Sequence, residues 1–214
     1  MTDTSTATES GRLSLAEAHG ERILHPSRMT PRQRERRDKL IDSALRLLDT
    51  LEYDQVSVKD VADDANVSLG TLYHYFSSKE RLFAEALLRW ASSLPAHVRN
   101  RPLRASTPQE RLMEAMHRAI RAFERKPQMA RLVNVLLNSP DPMAMEMMSR
   151  VDRATADVYL QALAGVDPGI AGRAVDVVNA VLSVSLRDWS IGRCSMSAVY
   201  DRLDSAISLV VTGS

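Results

Sequence analysis

Two short helical segments, each introduced by a serine, stand close together between Ser57 and Phe76, and they constrain the fold more than any other feature of the chain. Ser57 is a good N-cap for the segment VKDVADDA, and Ser68 is a good N-cap for a segment that ends near Phe76. Asn66 interrupts the pattern between them, and asparagine tolerates the left-handed backbone of a tight turn better than any residue except glycine. The spacing predicts a helix-turn-helix over 57–76.

The rest of the chain also shows helical periodicity. Apolar residues recur at intervals of three and four from Arg32 to about Leu51, and alternating β-branched runs are nearly absent. A further helix is expected to begin at Lys79 and to end at Pro95, since proline breaks helices. Five longer helices are expected near 108–125, 128–138, 141–163, 168–191 and 196–211. The sequence therefore predicts an all-α fold.

Two changes in composition divide the chain. Residues 1–30 carry small polar and acidic residues without periodicity, which predicts a mostly disordered N-terminal arm. The segment PAHVRNRPLRASTP has three prolines in fourteen residues and is the clearest boundary. We therefore expect an N-terminal three-helix head over 31–94 and a larger helical domain over 95–214.

Composition also narrows the classes of function. Cys194 is the single cysteine, so a disulfide within the chain and a multi-cysteine metal cluster are not expected, and a cytoplasmic location fits. The sequence has neither a secretory-signal pattern nor 18 consecutive apolar residues, so no membrane partner is expected. Five histidines occur without HExxH, GxSxG or a cysteine pair. An enzyme, a cofactor and a bound metal are therefore not expected.

The second short helix has an outer face that suits DNA. Val61, Leu72 and Phe76 can pack inside, and the residues expected outside are Ser68, Gly70, Thr71, His74 and Tyr75. Hydroxyl and imidazole groups bond phosphates or base edges in the major groove, and a glycine lets the backbone approach. The net charge of +1 supplies no bulk attraction, so DNA binding must rest on local arrangement.

The residues of this region resemble a known family. The pattern Ser57-Val58-x-x-Val61-Ala62-x-x-Ala65-x-Val67-Ser68-x-Gly70-Thr71-Leu72-Tyr73-x-Tyr75-Phe76-x-x-Lys79 is similar to the DNA-binding domain of TetR-type transcriptional regulators. Asn66 stands where that family often has glycine. The resemblance implies phosphate contacts from Ser57, Thr71, Tyr73, Tyr75 and Lys79, and base or groove contacts from Ser68, Leu69, Gly70 and His74.

The first helix begins with the basic run RQRERRDKL, which has five basic and two acidic residues. A solvated helix face is one interpretation of this run. The other is that it follows the DNA backbone, with Arg32 and Arg36 as contacts.

The resemblance also implies that the C-terminal helices enclose a cavity for a small molecule. Methionine suits such a cavity because it is flexible and polarisable, although methionine at helical spacing is also ordinary core. Asn134 and Asn179 lie in the apolar runs LVNVLL and VVNAVL, so each needs a partner, either a protein group or a ligand oxygen. The apolar candidates are Trp90, Leu94, Met113, Met116, Ile120, Phe123, Met143, Met147 and Val151.

Together these features favour a ligand-responsive transcriptional repressor. The resemblance implies a homodimer, formed through the last two helices, that binds a palindromic DNA operator and is released by a small, largely apolar effector. The helical half also loosely resembles actinobacterial regulators of steroid and cholesterol catabolism, which favours a steroid-like or acyl-CoA-like effector. A helical protein-interaction module and a small helical enzyme without DNA binding are the alternatives.

Overall fold

The computed structural model describes residues 29–99 and 103–211, except the side chains of 94–99. All regular elements in these ranges are helical, which confirms the predicted fold class. A 3-10 turn, Tyr53–Gln55, separates the first two helices. The helices are α1 (Pro31–Leu47), α2 (Val58–Asp64), α3 (Leu69–Tyr75), α4 (Lys79–Arg99), α5 (Pro108–Arg125), α6 (Pro127–Leu137), α7 (Pro142–Ala162), α8 (Pro168–Ser190) and α9 (Met196–Val211). Apart from Met29 and Thr30, the predicted N-terminal arm lies outside the described residues.

The helix-turn-helix has the predicted local structure. The Ser57 hydroxyl accepts a hydrogen bond from the Asp60 amide at 3.1 Å, and the Ser68 hydroxyl accepts one from the Thr71 amide at 3.2 Å. Each serine therefore satisfies an amide that the first helical turn leaves without a partner. Between the two helices Asn66 has a φ of 55°, so the predicted left-handed turn residue is confirmed.

Proline marks the start of most helices. Five of them begin with proline at their first position, where its missing N–H would have no partner in the helix anyway. Pro95 behaves differently, because α4 continues through it to Arg99. The expectation that Pro95 ends this helix is therefore wrong. A proline inside a helix removes one hydrogen bond at a cost of about 3 kcal/mol, but the remaining bonds of a long helix can persist.

The described residues group into two compact units, which divide between Ala86 and Leu87 within α4. In the first unit α1 packs against α2 and α3. The first two turns of α4 belong to the same unit, because Leu82 and Phe83 are fully buried there. Other large buried residues of this unit include Leu40, Ile41, Leu48, Val56, Val61, Leu72, Tyr75 and Phe76.

A polar contact also ties α2 to α1. The Asp64 carboxylate lies 2.5 Å from the Ser43 hydroxyl and 2.6 Å from the Arg46 guanidinium. Ser43 is fully buried and its hydroxyl also lies 3.1 Å from the Val61 carbonyl oxygen. The hydrogen bonds from Ser43 and Arg46 lower the pKa of Asp64. This contact fixes the end of α2, and with it the start of the turn that leads to α3.

The second unit contains an apolar cluster built from α5, α7, α8 and α9. Its fully buried side chains include Leu112, Met116, Ile120, Val178, Val199, Leu203 and Ile207. By length and composition alone, α8 could span a membrane. Val175 and Val178 of α8 are buried in the cluster.

Replacement of Asp64 by Asn should lower the free energy of unfolding at neutral pH, because the ionised carboxylate is the acceptor for Ser43 and Arg46. Asp64 is partly exposed, so solvent screening limits the loss to about 1 kcal/mol. A lowered pKa contributes stability above the unfolded-state pKa, about 3.9, and that stability is lost as the pH falls through the lower folded-state value. Urea unfolding at several pH values should therefore show the wild-type advantage shrinking below about pH 4. An advantage that is independent of pH would contradict the assignment.

Candidate nucleic-acid interface and effector site

Most of the predicted DNA-contacting residues at and near α3 lie at the surface of the first unit. Ser57, Ser68, Leu69, Gly70 and His74 are exposed, and Leu69 retains 39% of its accessible surface. Thr71 and Tyr73 of α3 are half-buried. The Ser68 and Thr71 hydroxyl oxygens lie 2.9 Å apart at the start of α3. This end of α3 therefore presents small and hydroxylated side chains to solvent.

Tyr75 does not belong to the exposed face. It retains only 3% of its accessible surface, so the expectation that it points outward is wrong. Leu72, Tyr75 and Phe76 stand at positions i, i+3 and i+4, which lie on the same side of a helix, and all three are buried. The Tyr75 hydroxyl makes no hydrogen bond to the described residues. A phosphate contact from the Tyr75 side chain stays a prediction, and the hydroxyl is the group of this side chain that would make it.

Lys79, at the start of α4, makes its contacts within the protein. Its ammonium group donates a hydrogen bond to the Tyr53 carbonyl oxygen at 2.7 Å and lies 4.0 Å from the centre of the Tyr53 ring. The Tyr53 hydroxyl in turn donates to a carboxylate oxygen of Glu80 at 3.3 Å. Burial lowers the pKa of Lys79 and raises that of Tyr53. Lys79 therefore joins the turn before α2 to the helix after α3.

The C-terminal end of α3 is held by a second charged contact. Glu85 of α4 is buried and forms an ion pair with Arg37 of α1. The Arg37 guanidinium lies 5.3 Å from the centre of the fully buried Phe76 ring. A buried carboxylate needs such a partner, because an unpaired charge in the interior is costly. Glu85 and Arg37 therefore position the end of the helix that carries the exposed surface.

The basic run at the start of α1 is divided between the protein and solvent. Lys39 pairs with Glu35 at 2.9 Å, and Arg37 pairs with Glu85. The two predicted DNA contacts, Arg32 and Arg36, are exposed and have no ion pair with the described residues.

Gly70 is exposed on α3, and the protein itself gives no reason for a glycine there. Its φ is not in the left-handed region, and a Cβ atom added to it would meet no atom within 4 Å. A glycine inside a helix costs up to about 1 kcal/mol relative to alanine. A reason for Gly70 must therefore come from outside the described protein.

The apolar candidates for the effector site are largely interior residues of the second unit. Met116 and Ile120 are fully buried in the apolar cluster, and Met113 and Phe123 pack against it. The Trp90 and Phe123 rings meet edge to face with centres 4.9 Å apart. On α7, Met147 and Val151 are buried and Met143 is half-buried. The side chain of Leu94 lies outside the described residues.

The two asparagines differ in their partners. The Asn134 side-chain amide donates to the Ser190 hydroxyl at 2.7 Å, so a protein group supplies its partner. Asn179 is half-buried on α8, and its side chain makes no hydrogen bond to the described residues. Of the two, Asn179 therefore keeps its hydrogen-bonding capacity for another molecule.

Sequence reasoning missed the residues that hold the exposed surface of α3 in place. Glu85 stands in the apolar run RLFAEALL, and a lone carboxylate at helical spacing among buried residues was the available signal. No local signal marks Tyr53 as the partner of Lys79, because the two residues are separated by 26 positions.

A surface groove of about 690 Å³ lies between the outer faces of α8 and α9. Its walls include Val184 of α8 and Leu209 of α9, which retain 47% and 79% of their accessible surface. Arg202 and Asp201 lie at the same groove. Among the described residues no group of three or more His, Cys, Asp or Glu side chains is arranged to hold a metal ion.

Family models match both units of the chain. Residues 40–86 match the model for bacterial regulatory proteins of the tetR family. Residues 106–210 match the model for the tetracyclin repressor-like C-terminal domain.

Individual relatives extend over most of the chain. The HTH-type transcriptional repressor KstR of Mycobacterium tuberculosis is 29% identical over 180 residues, which cover 84% of this chain and 82% of the relative. The repressor KstR of Rhodococcus jostii is also 29% identical, with 84% of each chain covered.

Solved structures share the fold at low sequence identity. A TetR transcriptional regulator from Rhodococcus sp. RHA1 has a TM-score of 0.74 at 22% identity, with 84% of this chain and 97% of that chain covered. Thermus thermophilus FadR, a transcriptional repressor solved in complex with lauroyl-CoA, has a TM-score of 0.64 at 19% identity, with 83% and 94% covered.

Replacement of Lys79 by Ala should lower the free energy of unfolding by about 1–2 kcal/mol, because it removes the hydrogen bond to the Tyr53 carbonyl oxygen and the contact with the Tyr53 ring. Lys59→Ala is the matched control, since Lys59 is an exposed lysine of α2 and should change stability by less than about 0.5 kcal/mol. Urea unfolding of the two variants measures the difference. Equal losses would show that Lys79 has no structural role.

Proposed function

The chain belongs to the tetR family of bacterial regulatory proteins, and we propose that it is a repressor that binds a palindromic operator as a homodimer and is released by a small, largely apolar effector. We assign DNA binding to residues 31–94, and effector binding and dimerisation to residues 95–214. A repressor of bacterial genes works in the cytoplasm, where its DNA is.

The exposed start of α3 carries the DNA-binding proposal. It combines the serine cap and a glycine for which the protein itself has no need, and the solvent-facing His74 follows in the last turn of the same helix. In a helix-turn-helix the first residues of the second helix approach the base edges, and a missing side chain lets the backbone come close. Ser57, Arg32 and Arg36 are exposed in the same unit and are proposed to contact phosphates.

The groove between α8 and α9 supports the homodimer. Leu209 and Val184 are apolar side chains left in solvent, whereas a monomer normally buries such residues or scatters them. The groove also carries Asp201 and Arg202, and Arg202 is paired with Asp188 of the same chain at 3.1 Å, so the groove has a polar rim beside its apolar walls. A helix-turn-helix dimer places its recognition helices about 34–36 Å apart, one turn of DNA.

The class of effector follows from the interior of the second unit. The cluster around Met116 and Ile120 is apolar, and methionine adapts to bulky ligands. Thermus thermophilus FadR, which shares the fold, was solved with lauroyl-CoA. With the sequence resemblance to steroid-catabolism regulators, this supports a steroid-like or acyl-CoA-like effector. Release from DNA requires that the effector bind the DNA-free conformer more tightly than the DNA-bound one.

Gly70→Ala tests the DNA-binding surface. The operator is first selected from random-sequence duplexes, and it should be an inverted repeat. The free energy of unfolding of the variant should be higher by up to about 1 kcal/mol, because alanine favours a helix and its methyl group meets no protein atom. It should bind the operator at least about tenfold more weakly in a mobility shift, since the methyl group enters the DNA contact.

Gly172→Ala on α8 is the matched control, because a Cβ atom there also meets nothing within 4 Å. It should leave operator affinity unchanged. Wild-type affinity in Gly70→Ala would remove α3 from the proposed interface. A selection that enriches no sequence would instead favour a protein-interaction module.

The double variant Val184→Glu and Leu209→Glu should be a folded monomer. Both positions are exposed in one copy of the chain, so the substitutions do not disturb its interior, but they place four carboxylates in a two-fold interface. Light scattering after size exclusion measures the mass. Leu137→Glu is the control, since Leu137 is 41% exposed on α6 and lies outside the groove. A dimer in the double variant would rule out this groove as the interface.

A further inference from the structure

Leu69, the first residue of α3, is an apolar side chain that the fold leaves in solvent. It retains 39% of its accessible surface. Among residues 29–86 of the first unit, all of which the structure describes, it is the only leucine, isoleucine, valine, methionine, phenylalanine or tyrosine that is exposed. The first unit thus withdraws its other large apolar side chains at least partly from water.

The position of Leu69 gives this exposure its significance, since single exposed leucines are common on protein surfaces. Leu69 lies between Ser68 and Gly70, which are both exposed. It belongs to the segment that matches the tetR-family model, and the first residues of the second helix of a helix-turn-helix approach the base edges of DNA. Gly70 has no side chain, so the backbone can come close to the DNA and bring the neighbouring Leu69 with it.

The chemistry of leucine narrows what Leu69 can contact there. Its side chain has no charge and no hydrogen-bonding group, so it can bind neither a phosphate nor a polar atom of a base edge. The base edges of the major groove present donors and acceptors, and the apolar group among them is the 5-methyl group of thymine. Contact between this methyl group and a leucine removes apolar surface of both from water.

The neighbouring side chains are less suited to this contact. Thr71 also carries a methyl group, but it is half-buried, and its hydroxyl oxygen lies 2.9 Å from that of Ser68. Serine and threonine hydroxyls both donate and accept, so they bond to more than one kind of base. Leu69 is therefore the residue at this end of α3 that can distinguish a base by an apolar contact.

We infer that Leu69 recognises thymine, by packing against the 5-methyl group of one thymine in each half-site of the operator. The inference rests on the proposed DNA-binding function. It adds the identity of a base to the contacts that are proposed for this surface.

The test removes the methyl group from the DNA. Each thymine of the selected operator is replaced in turn by deoxyuridine, at the equivalent places of both half-sites. Deoxyuridine pairs with adenine as thymine does and lacks only the methyl group. At one place the replacement should weaken binding by the wild type about fifteenfold in a mobility shift, because one buried methyl group contributes roughly fourfold in each half-site.

Leu69→Ala should bind the thymine operator at least about fifteenfold more weakly than the wild type does, and it should bind the deoxyuridine operator equally well as the thymine operator. Its melting temperature should stay close to that of the wild type, because the side chain is exposed and alanine favours a helix. Leu69→Met should keep the deoxyuridine penalty, since it keeps an apolar side chain of similar volume.

Leu160→Ala is the matched control, because Leu160 lies on α7 in the second unit and also retains 39% of its accessible surface. It should keep both the operator affinity and the deoxyuridine penalty of the wild type.

The outcomes separate this inference from the proposed function. If the wild type binds a selected operator but tolerates deoxyuridine at every place, the role of Leu69 is overturned while DNA binding stands. A deoxyuridine penalty that persists in Leu69→Ala would also overturn it, because something other than Leu69 would then sense the methyl group. If the selection enriches no sequence, the proposed function fails, and this inference fails with it.

Discussion

Neither α2 nor α3 can hold its shape alone, because helices of seven residues are well below the length at which isolated helices are stable in water. Their geometry comes from what they pack against. The buried Val61 and Leu72 give each helix an anchor in the core of the first unit, and the contact of Asp64 with Ser43 ties the end of α2 to α1. The pair of charges at Arg37 and Glu85 then steadies the far end of α3. The proposed DNA-reading surface thus depends on interactions made on its inner side.

Several polar groups near that surface already serve the fold. Ser57 and Ser68 cap helices, and Lys79 joins Tyr53 to the start of α4. A capping hydroxyl has accepted one bond but still carries its own proton, so it can meet a phosphate without leaving the helix. Lys79 has three donor protons and uses one on the carbonyl of Tyr53. Such double use keeps the surface rigid. It also limits the electrostatic attraction for DNA in a chain with a net charge of +1, so the proposed homodimer would add affinity through its second copy.

The parts of this structure that could be predicted are those with local causes. Serine caps, prolines at helix starts and the left-handed Asn66 act within a few residues, and they placed the helices within a few positions. The burial of Tyr75 agrees with its spacing from Leu72 and Phe76, but its hydroxyl and the family resemblance favoured an outward position, which proved wrong. The family resemblance predicts a DNA contact for Lys79, whereas its contact with Tyr53 could not be predicted because the two residues are 26 positions apart. The division of the chain within α4 likewise reflects which residues pack together, and no break in the sequence marks it.

The proposed effector would have to gain most of its differential affinity from the apolar interior of the second unit. To move a two-state protein from 1:99 to 99:1, a ligand must prefer one state by about 10⁴-fold, or roughly 5.5 kcal/mol. One hydrogen bond supplies roughly a tenfold factor at best. Burial of a bulky apolar body at about 25 cal/mol per Å² reaches the larger figure with roughly 220 Å² of differential contact. An apolar cluster such as the one around Met116 is therefore better suited to drive the proposed switch than a single polar group.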